Sequence, residues 1–376
     1  MIKKFIFQVL IFGFANAELD TVWTKTFGGE LNDRGYGIVE IDNGFIITGF
    51  EEVDNCNNSF GCQMKGIIIR TDSLGNQIWK QEFGEDHHSY VFNIVETDDN
   101  NFAAIVHKNV HYSKTHSLLK FDIDGNILLE HTIPDSIDLD FTSTQNLFVT
   151  NDLGFVFSTT QGSLVKMDSL GNIEWYKNEL GLPAWTLTKT DDGGYVVCAG
   201  DGTITLTKFN SDGVEIWEHI TELGGNRQIN DIIETQFYLI GIGDEDNAAA
   251  ILVLWSKNGE YKEVFELSIA QRFWDIIPSN DGSFYVSGIF SGNTAGIGNF
   301  DIEHDGDDEF GEFSIIWNWM STYGEGRGYN MHKTNNGDIS LVGQKGEPSG
   351  DIWLLKLGPD GPPPPPPPQA IFIDVT

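Results

Sequence analysis

Three groups of side chains in this chain have types and spacings that could do chemistry. The first is Asp301-Ile-Glu-His-Asp-Gly-Asp-Asp-Glu-Phe-Gly-Glu312. Alternating carboxylates around a bend that Gly306 permits converge on one hard cation, so Asp301, Glu303, Asp305, Asp307 and Glu312 are candidate ligands of a structural Ca2+. Seven acids within twelve residues repel one another unless a cation joins them. Glu303 stands where such loops carry Asp or Asn, and the plainer reading is a solvated acidic turn. The second group is arginine, with five against 17 lysines. Arg34-Gly-Tyr36, Arg272-Phe-Trp274 and Arg327-Gly-Tyr329 each open an apolar run in the same register, and Arg227 is displaced by one residue. Guanidinium groups beside aromatic faces suit a carboxylated or sulfated ligand. The alternative is that each pairs with a nearby acid such as Asp33, Asp275 or Glu325 and fixes its loop. The third group is His87, His88, His107, His111 and His116, five of nine histidines in the chain. Neutral imidazoles bind Zn2+ or Cu2+, but the spacing fixes no ligand set and exposed loop histidines are the commoner outcome.

These residues are positioned by a repeat. Asp72-Ser-Leu-Gly-Asn76 returns as Asp122-Ile-Asp-Gly-Asn126 and Asp168-Ser-Leu-Gly-Asn172, with looser copies at Asn210-Ser-Asp-Gly213 and Ser256-Lys-Asn-Gly259. Its Gly recurs at 75, 125, 171, 213, 259, 306 and 361. A second turn, of the type Asp-x-Gly-aromatic, recurs seven times, from Asp42-Asn-Gly-Phe45 to Asn335-Asn-Gly-Asp-Ile339. Between the turns lie short β-branched and aromatic runs without helical periodicity, an all-β signature. Two independent marks, the Gly of the first recurring at intervals of 42 to 55 residues, predict a seven-bladed β-propeller of four-stranded antiparallel blades. The last unit stops after its third strand, Asp351–Leu357, and the N-terminal stretch Thr21–Phe27 reads as an orphan fourth strand with Trp23 in the expected slot. Pairing the two completes the last blade and covers two sheet edges. On such a ring the four arginines fall on contiguous blades, with Tyr36, Trp274 and Tyr329, at one mouth of the channel.

Bulk properties set the compartment and exclude some partners. Lys3 and Lys4, an apolar run from Phe5 to Phe14 and Ala15-Asn-Ala17 make residues 1–17 a signal peptide, so the expectation is a secreted or periplasmic protein. That run is too short to span a bilayer, and no later segment is longer, so no membrane insertion is expected. A formal net charge of −34 argues against nucleic acid and favours a soluble monomer. Cys56 and Cys62 bracket a loop and suit a local disulfide in an oxidising compartment, whereas Cys198 lies in an apolar strand. Residues 18–361 are the propeller. Pro362–Pro368 form a polyproline spacer about 20 Å long, followed by a short tail to Thr376.

Trp23-Thr-Lys-Thr-Phe-Gly-Gly29 and Lys166-Met-Asp-Ser-Leu-Gly-Asn172, with the turn Asp191-Asp-Gly-Gly-Tyr195 between such units, resemble the propeller repeats of large secreted bacterial proteins. In those families a C-terminal sorting module often follows. The Gly with Trp four residues later is more distantly similar to quinoprotein dehydrogenases; their usual eight blades and vicinal Cys pair are not found here. The acidic loop also resembles the calcium hairpins of integrin-type propellers. The resemblance implies a fold and an export route. No nucleophile elbow, phosphate loop or zinc-protease helix is present. The sequence therefore reads as a secreted binding module for an extracellular glycan or protein, without an organic cofactor. The alternative is a glycan-active hydrolase or lyase working at the same channel mouth.

Overall fold

The computed structural model describes residues 21–54, 63–84, 88–110, 113–134, 147–159, 162–178, 180, 184–304, 313–334, 337–346 and 349–358. The predicted signal peptide (residues 1–17), Cys56 and Cys62, most of the acidic loop and the polyproline tail lie outside them. Among the described residues every regular element is a strand, and no helix is long and apolar enough to cross a membrane.

The N-terminal strand β1 spans Thr21–Phe27. A first sheet holds β2 (Arg34–Ile41), β3 (Gly44–Asp54), β4 (Gln63–Thr71) and β5 (Gln77–Phe83). A second holds β6 (Tyr90–Glu96), β7 (Phe102–Val110), β8 (Ser113–Phe121) and β9 (Ile127–Ile133). A third holds β10 (Leu147–Val149), β11 (Phe155–Ser158), β12 (Leu164–Met167) and β13 (Ile173–Lys177). The fourth holds β14 (Ala184–Lys189), β15 (Tyr195–Ala199), β16 (Thr203–Phe209) and β17 (Glu215–Glu222). The fifth holds β18 (Arg227–Glu234), β19 (Tyr238–Glu245), β20 (Ala249–Ser256) and β21 (Tyr261–Leu267). Then follow β22 (Ala270–Pro278), β23 (Phe284–Phe290), β24 (Thr294–His304), β25 (Phe313–Lys333), β26 (Ile339–Lys345) and β27 (Asp351–Leu357).

The architecture is that of a β-propeller: antiparallel meanders, five of four strands and one of seven. The seven-stranded sheet departs from the regular grammar for a local reason. Strand β25 is 21 residues long; Phe313–Glu325 pairs with β24, and Gly326–Lys333 pairs with β26. One continuous strand thus serves as the outer strand of one meander and the inner strand of the next. At the far edge β1 pairs antiparallel with β27, from Thr21 opposite Leu357 to Phe27 opposite Ile352, as the orphan-strand reading expected. Successive sheets touch through their inner strands: β2 packs on β6, β6 on β10, β14 on β18, β18 on β22 and β22 on β25, with β11 on β14. Strands β25 and β26 in turn pack on β2.

The core follows from this stacking. Middle strands are covered on both faces, so β12 and β15 are buried throughout, whereas β17 alternates toward solvent. The repeated turn is a self-contained device. Asp72, Asp122 and Asp168 each accept the backbone N–H groups two and four residues on, and the following Asn donates its amide to the same carboxylate. The Gly between them adopts a φ of 74–84° at positions 75, 125, 171 and 213, a region that costs other residues ~1–2 kcal/mol. These glycines also leave room for the sheet before: a Cβ on Gly75 or Gly213 would lie 2.7 Å from the ring of Trp23 or Trp175. Two of the indoles donate across the same gap, Trp79 to Ile123 O and Trp175 to Ser211 O.

Candidate functional site: the inner-strand mouth

The inner strands share a defect that brings the predicted residues together. In β2, β6, β14, β18, β22 and β25 the register slips by one residue, leaving Tyr36, the Phe92–Asn93 pair, Trp185, Asn230, Trp274 and Tyr329 at the slip. A β-bulge of this kind bends the strand and redirects a side chain. Opposite four of these bulges stands a glycine, Gly49, Gly243, Gly288 or Gly343, whose added Cβ would collide with the carbonyl of Arg34, Gln228, Arg272 or Arg327. In Phe45-Ile-Ile-Thr-Gly49 and Phe284-Tyr-Val-Ser-Gly288 that glycine stands four residues after the aromatic that closes the second turn. It was the available signal for the bulge, since Gly inside a strand marks close backbone approach.

The bulged aromatics touch one another across neighbouring sheets. Trp274 meets Tyr329 edge-on at 5.3 Å, Tyr329 meets Tyr36 at 5.6 Å, and Tyr36 stacks on Phe92 at 5.7 Å. The line continues to Tyr90, His107 and His116. It therefore runs over β22, β25, β2, β6, β7 and β8. Burial pushes the phenols of Tyr36 and Tyr90 above the ordinary tyrosine range. The Trp274 Nε1 and the Tyr329 hydroxyl are buried without a hydrogen-bond partner among the described residues, which leaves two donors to be satisfied at one place.

The four arginines differ in what holds them. Arg272 lies over the Trp274 ring at 4.5 Å and makes a two-point contact with Asp244, at 2.7 and 3.0 Å. Asp244 is itself nearly inaccessible and also accepts Gln228, Asn230 and the Asn247 N–H. Arg227 donates to Leu223 O and pairs with Glu245 and Glu266. The alternative weighed from sequence, an arginine fixed by acids, describes the surroundings of these two, although the acids were not those anticipated. Arg34 lies 5.9 Å from the Phe50 ring, and its interaction with Tyr36 opposes the burial that raises that phenol. Arg327 precedes Tyr329 by two residues, opposite Gln344 on β26.

Asp301 and Glu303 of the acidic loop lie on β24, opposite Ile316 and Ser314, and Asp301 accepts the Asn318 amide at 3.0 Å; Asp305, Asp307 and Glu312 lie outside the described residues. Among the described residues no group of three acidic, His or Cys side chains is placed to hold a metal. Of the histidines, His107 and His116 face each other across β7 and β8 with Nδ1 and Nε2 2.7 Å apart. Tyr90 OH contacts His88 and donates to Met64; His87 and His111 are outside the described set. Cys198 is free and buried, its thiol pushed up by desolvation, as its apolar strand implied.

Two acids stand just below the mouth. Asp231 and Asp275 are buried and hydrogen-bonded to each other. The sequence offered Asp275 only as a partner for an arginine, yet Asp244 holds Arg272, and among 56 acidic side chains nothing in the pattern singled out Asp231.

No protein-family model matches the chain, and no curated protein matches its sequence. Its backbone is similar to the crystal structure of BamB from Moraxella catarrhalis, at 14% identity and a TM-score of 0.50 over 90% of this chain and all of that one. A protein of unknown function from Bacteroides caccae is similar over 65% of this chain and 87% of its own length, at 13% identity and a TM-score of 0.47. At such identities the likeness to BamB establishes the β-propeller fold alone.

Proposed function

We propose that the chain is an exported, closed seven-bladed propeller that works as a protein-interaction module, with the inner-strand mouth as its recognition surface. Division of β25 at Gly326 supports a count of seven blades, and β1 on β27 together with Trp23 against Gly75 of the first sheet supports closure. Export rests on the leader pattern of residues 1–17. The observation that carries the reading is the continuous line Trp274–Tyr329–Tyr36–Phe92, set by bulges and flanked by Arg272, Arg327 and Arg34. Trp, Tyr and Arg are the residue types that dominate protein hot spots. A protein partner is favoured over a sugar because the faces of these rings are already engaged, that of Trp274 by Arg272. Acidic groups of the partner would meet the arginines. Asp301 and Glu303 with the loop up to Glu312 would hold a structural Ca2+.

The test is photo-crosslinking in the producing cell, with the probe at Trp274 and, as control, at the exposed tip Leu170. A discrete protein adduct at the mouth, lost in Arg327→Ala, is expected. Equal labelling at both positions contradicts the reading. Release of reducing ends from a glycan by the purified protein establishes the enzymatic alternative.

A further inference from the structure

We propose that Asp231 and Asp275 form a clasp between neighbouring sheets that is closed by a single shared proton and opens as that proton is lost. The geometry is an unbroken chain across four inner strands. Thr186 of β14 donates to Asp231 Oδ1 at 3.2 Å, and Asp231 Oδ2 accepts the Ile276 N–H of β22 at 3.1 Å. Asp231 Oδ1 also takes the Ile232 N–H of its own strand at 2.8 Å. Asp275 of β22 accepts the Met331 N–H of β25 at 2.6 Å. Ile276 and Met331 follow the bulges at Trp274 and Tyr329 closely, where the sheet ladder is interrupted. Each carboxyl thus satisfies backbone on the next inner strand. A buried N–H left unsatisfied is costly, which explains why an acid is tolerated here.

The two carboxyl groups also bond to each other. Carboxylates only accept hydrogen bonds, so that contact requires one of them to carry a proton. Asp275 is the donor: burial comes first, and the charge of Asp231 second, in pushing its carboxyl well above the usual range. Asp231 is raised less, to about 6, because the N–H groups it accepts oppose its burial. Surrounding charges are engaged elsewhere. Asp244 of β19 holds Arg272 of β22, Glu234 of β18 holds Lys257, Lys189 of β14 donates to Val149 O, and burial favours the neutral form of His332 on β25. Among the described residues no cationic side chain therefore pairs with either carboxyl. Loss of the proton places two anions in contact in a buried site. The strand displaced would be β22, whose bulge presents Trp274. Only this last consequence rests on the mouth being the recognition surface; the clasp itself does not.

The experiment is infrared difference spectroscopy of the carboxylic-acid carbonyl band, with melting temperature as a function of pH. Wild type should show a protonated carboxyl at pH 7 that disappears on alkaline titration while the melting temperature falls. Asp275→Asn keeps a donor toward Asp231 and an acceptor for Met331, so it should lack the band and lose part of the fall. Asp33→Asn is the control and should retain the band. If Asp275→Asn does not fold, Asp231→Asn replaces it: without the charge of Asp231 the band should disappear at lower pH than in wild type. Absence of a protonated carboxyl in wild type at pH 7, its persistence in Asp275→Asn, or an unmoved titration in Asp231→Asn overturns the proposal. Neither result depends on any binding partner, so failure of the clasp and failure of the mouth are read separately.

Discussion

Alanine at Gly213 tests whether the repeated turn docks one sheet on the next. Gly213 has φ +74°, and a Cβ there would sit 2.7, 2.9 and 3.0 Å from Cδ2, Cε3 and Cε2 of Trp175 on the preceding sheet. Gly224 has φ +71° and nothing within 4 Å of the same added atom. Both substitutions incur the left-handed backbone cost of ~1–2 kcal/mol. Only Gly213→Ala adds an overlap with a ring, worth ~1–3 kcal/mol when a packed interface must give way. Trp175 is partly exposed and donates to Ser211 O at 3.2 Å, so it can move only by weakening that bond. The expected difference between the two variants is ~1–3 kcal/mol, read from urea midpoints under a common slope. In a Trp175→Ala background the excess should vanish, a coupling that a double-mutant cycle measures. Equal midpoints for Gly213→Ala and Gly224→Ala, with no coupling to Trp175, would refute the docking role of the turn.

Other expectations follow from the same contacts. Stability should peak in mildly acidic solution. Carboxyls pushed up to about 6, Asp33 and Asp231, contribute stability that is complete below the unfolded carboxylate range and is lost as pH rises through 6. Asp152 and Asp192, where burial is outweighed by bonds from Lys166 and Thr150 or from Thr190 and Lys208, are held down to about 2, so their contribution is lost as pH falls toward that value. A melting temperature that climbs steadily from pH 5 to 8 contradicts this. Lys166→Met should cost ~1–2 kcal/mol, less than a fully buried pair because Asp152 and Glu174 are about half exposed; NMR titration should show the Asp152 pKa moving up toward the ordinary range. Arg227→Ala should lower stability and leave partner binding intact, whereas Arg327→Ala should weaken partner binding; equilibrium denaturation with quantitative crosslinking reads the two effects separately. Added Ca2+ should raise the melting temperature and EDTA should reverse it; an unchanged value removes the metal from the loop beginning at Asp301.

Much of the scaffold was legible because its determinants are local. Asp168, Gly171 and Asn172 make their turn within five residues, and the pairing of Thr21–Phe27 with Asp351–Leu357 showed as a missing strand at one end and a spare at the other. The continuous β25 was not legible, since Gly324 and Gly326, a residue type that weakens strands, pass through it with positive φ. The site was legible by residue type and not by contact. Spacing placed Arg272 beside Trp274, but its acid partner Asp244 comes from the preceding sheet, 28 residues away. The bulges that aim Tyr36, Trp274 and Tyr329 exist only relative to a partner strand, so a single run of residues does not display them; the glycines opposite do. Asp231 and Asp275 acquire their properties from burial between sheets, which no acid in a strongly acidic sequence advertises.

The closed ring is tested most directly by supplying β1 in trans. A chain beginning at Gly28 lacks the strand that pairs with β27 and the Trp23 that meets Gly75. It should melt well below the full protein. A peptide spanning Thr21–Phe27 should restore the melting temperature in a concentration-dependent way, and the same peptide with Trp23→Ala should restore it less. A shortened chain that melts with the full protein and ignores the peptide would contradict the ring.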